Sequence, residues 1–307
     1  MNQVAPGRKV SFFSGGSKVA ALLWLPDDLQ PGEKRPAIVS ARGFGSVKEF
    51  VNPGFAARLN QEGYIALGFD YRGLGESEGV PGRLLPTEHA EDIRAAMTYL
   101  QTLPEVDGER IGLLGDSMGA AHVIYAAAQD ERARCVISYG GPGDMARWYR
   151  GLVGYERYLD WKSRVDEERR TRTLTGTSTY VSAYDFLAFG TRERAEWAVL
   201  EKEYPASHPD ITLETVEKYL EYKPERVVRR IAPRPVFFVT AATSVIVPPD
   251  ESVSLYRKAR KPKKLWIIPP TDAAFRYATH LKGHGYSQAV ADAFVDWYKQ
   301  WLPVQRG

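Results

Sequence analysis

Short apolar runs bounded by turn residues recur along this chain, separated by longer stretches in which apolar positions return every three or four residues. Runs of the first kind, at 36–41, 65–70, 111–115, 135–139, 235–240 and 265–268, are predicted central strands. Stretches of the second kind, at 53–62, 87–103, 118–129, 250–259 and 287–301, carry polar outer faces and predict helices. This alternation implies an α/β fold with a mostly parallel central sheet flanked by helices. Two opening runs, 9–13 and 18–25, predict an antiparallel edge.

The alternation fails once, over 144–223, where about eighty residues pass without a convincing buried strand. Trp148, Tyr149, Tyr155, Tyr158, Trp161, Tyr180, Tyr184, Phe186, Phe189 and Trp197 punctuate this stretch among Arg and Glu. Such spacing predicts amphipathic helices over something apolar, a helical cap across the strand ends. No repeat, low-complexity tract or flexible linker interrupts the chain, so 144–223 is expected as an insertion into a core of 1–143 and 224–307. Trp148 and Tyr149, nearest the sheet, are expected to roof a pocket suited to a flat, ring-rich ligand. The Arg and Lys residues between 147 and 172 read as a solvated helix face with weak i, i+4 pairs. Alternatively, they dock an acyl carrier protein or a phosphopantetheine arm.

Composition narrows the function classes. With 307 residues, 44% of them hydrophobic, the chain can bury a large core. A net charge of +3, with no basic patch interleaved with aromatics, argues against nucleic acid as a partner. The single cysteine, Cys135, lies in an apolar run and reads as a small buried hydrophobe in a reducing, cytoplasmic setting. No apolar stretch reaches the roughly 18 residues that would span a bilayer, so no membrane association is expected. Neither a cofactor nor a metal is expected, since no histidine pair has metal-ligand spacing.

The chemistry concentrates at Gly115-Asp116-Ser117-Met118-Gly119, directly after a predicted strand and before the small residues Ala120 and Ala121. A Gly-x-Ser-x-Gly sequence in that context forms a nucleophile elbow, a strained turn that projects the serine oxygen. Asp70-Tyr71-Arg72-Gly73-Leu74-Gly75-Glu76-Ser77, the segment 106–112 and Val247-Pro248-Pro249 stand at supporting positions. On these residues the chain resembles the α/β-hydrolase superfamily, and within it the dienelactone-hydrolase-like and peptidase-S15-like branch that includes polyketide-processing hydrolases and transferases. The resemblance implies an α/β-hydrolase fold, a small-molecule substrate, and an oxyanion hole formed by the N–H groups of Phe44 and Met118.

Three positions depart from the branch. The acid of the triad stands three residues before the valine of a Val-Pro pair, which here is Ser244. The histidine follows the last strand within a few residues, which here is Ala273, or Asp272 if the loop slips by one. Where relatives often carry His-Gly after the third strand, this chain has Arg42-Gly43. A serine without a base is a weak nucleophile. The expectation is therefore a degenerate triad repurposed for non-hydrolytic chemistry such as cyclisation, C–C bond making or breaking, or isomerisation. Ser117 would bind the substrate, and Arg42 would face developing negative charge unless it only bridges a carboxylate. The rival expectation is a serine esterase, thioesterase or acyltransferase whose base is relocated to His280 or His284, with Asp144 as a displaced acid or, more simply, a helix cap. A non-catalytic ligand-binding protein is a further alternative. His122 is expected as a satisfied core residue, and His89 and His208 as exposed or cap-surface ones.

Overall fold

The computed structural model describes residues 7–50, 53–188, 210–269 and 287–305, together with positions 190, 194, 198 and 202. Its centre is an eight-stranded sheet built from β1 (Arg8–Ser14), β2 (Ser17–Trp24), β3 (Arg35–Ala41), β4 (Ile65–Phe69), β5 (Val106–Asp116), β6 (Ala133–Tyr139), β9 (Val236–Ala241) and β10 (Lys263–Ile268). The spatial order is β1-β2-β4-β3-β5-β6-β9-β10. β2 pairs antiparallel with both β1 and β4, and the remaining ladders are parallel, as an α/β-hydrolase fold requires.

Every residue of β3 and β4 is buried, because helices cover both faces of the sheet. Side chains alternate between two cores along each strand. Val39, Leu113, Val136 and Phe238 face one core with α2 (Pro86–Gln101) and α3 (Met118–Gln129). Ile38, Leu114, Ile137 and Phe237 face the other with α1 (Pro53–Gln61) and α9 (Gln288–Trp301). Cys135 is fully buried there, as its apolar run predicts.

Between β6 and β9 the chain forms α4 (Met145–Val153), α5 (Tyr155–Thr175), the strand β7 (Tyr180–Ser182), the short α6 (Ala183–Phe186), the strand β8 (Asp210–Thr212) and α7 (Leu213–Glu221). The antiparallel β7–β8 ribbon is absent from the sequence expectation, since three residues are too few to register a period of two. α5 buries one narrow stripe, Trp161, Val165 and Glu168. Its cations do not all face water: Arg169 pairs with Glu217 of α7 at 2.9 Å, and Arg172 pairs with both Glu168 and Glu217. The start of this segment is tied to the core by Arg147, which reaches Glu251 at 2.7 Å and Glu225 at 3.0 Å, Glu251 belonging to α8 (Pro249–Lys258). The Trp148 indole N–H adds a bond to the carbonyl of Ile246 at 2.6 Å.

Candidate active site

Ser117 occupies the single-residue turn between β5 and α3, with φ 53° and ψ −123°. For a residue with a Cβ this conformation costs about 1–3 kcal/mol and is held only by its surroundings. The Ser117 N–H donates to the Tyr139 carbonyl of β6 at 2.9 Å, and its own carbonyl accepts from Ala120 N–H at 3.1 Å. The glycine two residues on has a steric reason: a Cβ on Gly119 would lie 2.2 Å from the Ala41 carbonyl oxygen. Strand β3 and helix α3 therefore meet backbone to backbone, and the loop leaving β3 is brought across the serine. Gly43 of that loop sits so near that a Cβ there would stand 3.1 Å from the Ser117 Cβ.

Phe44, next in the loop, and Met118, first in the helix, are both buried. Among the described residues, neither backbone N–H donates to an acceptor. The first N–H groups of a helix have no intrahelical partner and favour negative charge.

Arg42 meets a partner that its sequence position did not reveal. Its guanidinium pairs at 2.8 Å with Asp116, the residue immediately before the serine, and both are buried. Of the two expectations for Arg42, bridging a carboxylate accounts for this contact, and the pair is buried rather than at the surface. Arg42 Nε and Asp116 Oδ1 remain without a hydrogen-bond partner among the described residues.

Asp144 caps α4, accepting from Arg147 N–H at 3.0 Å, and pairs with Lys223 at 2.8 Å. Burial pushes its carboxyl up, but the Lys223 ammonium and the cap bond together hold it below the usual carboxylate range. The capping alternative accounts for these contacts. Ser244 lies in the turn after β9, its N–H donating to the Ala241 carbonyl at 3.2 Å. Val247 of the same loop is buried, just before α8. Asp272, Ala273, His280, His284 and His208 fall outside the described residues.

Trp148 and Tyr149 both pack inward. Tyr149 stacks on Phe186 at 4.5 Å and donates its hydroxyl to the Phe186 carbonyl at 2.6 Å. Phe186 in turn contacts Phe44 at 6.4 Å between ring centroids, so these aromatics lead to the loop beside the serine.

One histidine expectation is overturned. His89 is buried, stacked on Tyr71 at 4.1 Å, with its Nδ1 3.4 Å from His122 Nε2. The signal was present in the spacing: Pro86, His89, Ile93, Ala96 and Leu100 form one stripe of α2. His122 is a core residue as expected, 3.2 Å from the hydroxyl of Tyr219 on α7. Burial drives the His122 imidazole down to about 3 and His89 well below its ordinary value, the latter helped by His122 and the Arg72 charge. Burial likewise pushes the Tyr71 and Tyr219 hydroxyls up. Tyr219 was missed because its contacts join segments far apart in sequence. Among the described residues no cluster of His, Cys, Asp and Glu could hold a metal ion, and no helix is long and apolar enough to cross a membrane.

Comparison with known proteins gives this geometry a setting. The model of the family described as X-Pro dipeptidyl-peptidase (S15 family) matches residues 15–271. A 31.7 kDa protein of the traX-finO intergenic region of Escherichia coli is 30% identical over 73% of this chain and 77% of its own. Thiohydrolase aneE of Aspergillus aculeatus is 29% identical over 75% of this chain and 76% of its own, and polyketide transferase claH of Penicillium crustosum is 26% identical over 88% and 90%. Among solved structures, DcsB in complex with its substrate analogue superposes with a TM-score of 0.80 at 20% identity, covering 96% of this chain and 99% of that one. The protein PA2218 of Pseudomonas aeruginosa superposes with a TM-score of 0.79 at 25% identity, covering 98% and 95%.

Proposed function

Since the chain belongs to the X-Pro dipeptidyl-peptidase (S15) family and has the α/β-hydrolase fold, we propose that it is an enzyme acting on a carbonyl-bearing, polyketide-like small molecule by chemistry other than hydrolysis. The substrate carbonyl oxygen sits between the N–H groups of Phe44 and Met118, an oxyanion hole worth several kcal/mol to a developing enolate or tetrahedral centre. Ser117 donates a hydrogen bond to that substrate and positions it. The segment 144–223 acts as a cap, with Trp148 and Tyr149 behind its inner wall. Arg42, neutralised by Asp116, holds the Gly43–Phe44 loop against the elbow. Cyclisation, C–C bond making or breaking, and isomerisation all need this combination of a polarised carbonyl and an enclosed apolar cavity, and none needs an acyl-serine.

The single observation that carries this reading is an imbalance at one site. Two backbone donors stand open beside Ser117, whereas the acid position after β9 holds Ser244. A relative named as a thiohydrolase and another named as a polyketide transferase favour a second reading. In it Ser117 takes up an acyl group from a thioester and passes it on, with His280 or His284 as base. Mass spectrometry after exposure to a fluorophosphonate separates the two. The primary reading expects folded protein without added mass, while rapid phosphonylation of Ser117 at pH 7.5 would transfer the assignment to acyl transfer.

A further inference from the structure

Tyr219 receives no role above, and its contacts run through several elements of the molecule. It stands on α7, fully buried. Its ring meets the Phe44 ring edge-on at 5.3 Å and 67°, and its hydroxyl bonds His122 Nε2 of α3 at 3.2 Å. His122 continues to His89 of α2 at 3.4 Å, and His89 is stacked on Tyr71, in the turn after β4. Phe44 is therefore held from one side by a ring whose angle is set by a hydroxyl–imidazole bond to the helix that begins at Met118. Phe186 also meets Phe44, at 6.4 Å between ring centroids, and is backed by Tyr149 and by Trp161 at 5.6 Å.

A buried phenol without a partner loses solvation it cannot recover, and an imidazole held neutral by burial is a fitting partner for it. Aromatic edge-to-face contacts add roughly 0.5–1.5 kcal/mol each and, unlike aliphatic packing, favour particular ring angles. A rotation of the Tyr219 ring would therefore press on the Phe44 ring, whose backbone carries the N–H beside Ser117.

From this geometry we infer that Tyr219 is a positioning residue: through its bond to His122 and its edge contact with Phe44, it couples the placement of α7 to the orientation of the Phe44 N–H beside Ser117. This rests on the oxyanion role given to Phe44 under the proposed function, and the test keeps the two separable. A change in α7 would then alter carbonyl recognition without touching Ser117.

The test uses the full chain with 15N-labelled phenylalanine, the Phe44 amide signal being assigned by its loss in Phe44→Leu. Tyr219→Phe retains the ring and its magnetic influence while deleting the hydroxyl. The Phe44 signal is expected to move in Tyr219→Phe and in His122→Leu, and the double variant to move no further than His122→Leu alone, because the Tyr219–His122 bond is already cut there. His122→Gln, whose amide oxygen can accept from the hydroxyl, is expected to restore most of the original position. Phe294, on the opposite face of the sheet, serves as the signal that stays still. Sodium octanoate, with octanol as the uncharged counterpart, is the binding probe. Octanoate affinity should fall about fivefold in Tyr219→Phe, the scale of one hydrogen bond, while octanol affinity changes by less than twofold. An unmoved Phe44 signal in folded Tyr219→Phe overturns the coupling. Should His122→Leu not fold, Tyr219→Phe and His122→Gln decide alone. If the Phe44 signal moves as expected but wild-type protein binds octanoate no better than octanol, the coupling stands and the oxyanion role of Phe44 falls.

Discussion

The two sides of Ser117 are built from different materials. On the side of the Gly43–Phe44 loop and the start of α3, everything that would meet a carbonyl oxygen is backbone, held by the approach of Gly119 to the Ala41 carbonyl and by the bond from Ser117 N–H to Tyr139. In the proposed reading, proton transfer would fall to side chains at the ends of β9 and β10, and the first of these positions holds Ser244. A backbone device survives almost any substitution that preserves the turn. A side-chain device vanishes with one codon. On the proposed reading the scaffold keeps an affinity for a carbonyl while lacking the means to deprotonate a hydroxyl, a separation that fold likeness alone never discloses.

The largest effects should come from the contacts that hold the backbone side together. Arg42→Ala leaves Asp116 buried without its partner at 2.8 Å, and breaking a buried pair in this way costs about 3–5 kcal/mol. Urea unfolding followed by circular dichroism checks it; a loss below about 1 kcal/mol would mean that the pair does not hold the loop to the elbow. Gly119→Ala places a methyl group against main-chain oxygen rather than a yielding side chain, and should cost about 3 kcal/mol, at the upper end of overpacking penalties.

The other side of the comparison is tested by repair. Ser244→Asp combined with Ala273→His rebuilds the sequence pattern of a working triad. Removing the histidine of a serine protease lowers turnover by about a million-fold, so an intact hydrolase site missing only these groups would regain several orders of magnitude in p-nitrophenyl ester hydrolysis. A repurposed pocket predicts a rise of less than about tenfold. A thousandfold gain in the double variant would mean that the proton-transfer side had been lost by two substitutions and nothing else.

How much of this was legible beforehand follows from the range of each signal. The strands β3, β4, β5, β6 and β9, the helices α2 and α3 and the elbow itself are written in local runs and in one five-residue motif, and the structure places them within two residues of those patterns, except that β5 begins five residues earlier, at Val106. The capping role of Asp144 was readable for the same reason, since a cap acts on the next turn of the chain. His89 was misread although its helix stripe was visible, because a polar type was allowed to outweigh an apolar position. The Arg42–Asp116 pair and the Tyr219–His122 bond were hidden by their separation along the chain. No spacing rule connects residues 97 apart, and only the closing of α7 over α3 brings that second pair together.

Acid should expose the cluster behind the loop. His122 is held near 3 in the folded state and is expected near 6.5 when unfolded, so between these values the unfolded chain binds more protons. Stability contributed by keeping this imidazole neutral is complete above about pH 6.5 and is lost as pH falls below it, by about 1.4 kcal/mol per pH unit. His89 acts in the same sense. Asp92, whose carboxyl burial raises to about 6, opposes them: it takes up a proton on folding between about 6 and 3.8 and offsets one imidazole there. The two imidazoles act against one carboxyl, so wild-type stability should fall as pH drops from 6 to 5. His122→Gln removes one titrating group and should flatten that interval. Parallel curves for the two proteins in urea titrations at pH 7, 6 and 5 would place the proton uptake elsewhere.

The smallest effect bears most directly on which side of Ser117 does chemistry. Asp144 is bonded to Arg147 N–H and paired with Lys223, and it is also the carboxylate that a displaced triad would draw upon. Asparagine caps a helix about as well as aspartate, and alanine does not cap. As a cap, Asp144→Ala should cost about 1 kcal/mol and Asp144→Asn a few tenths, with neither altering the rate at which a fluorophosphonate reacts with Ser117. As an acid behind a relocated histidine, the asparagine variant would remain stable yet lose most of its labelling rate, because an amide cannot hold an imidazolium. Stability and labelling measured on the same two variants thus divide a structural carboxylate from a catalytic one. The outcome decides whether the side-chain half of the site has moved or has gone.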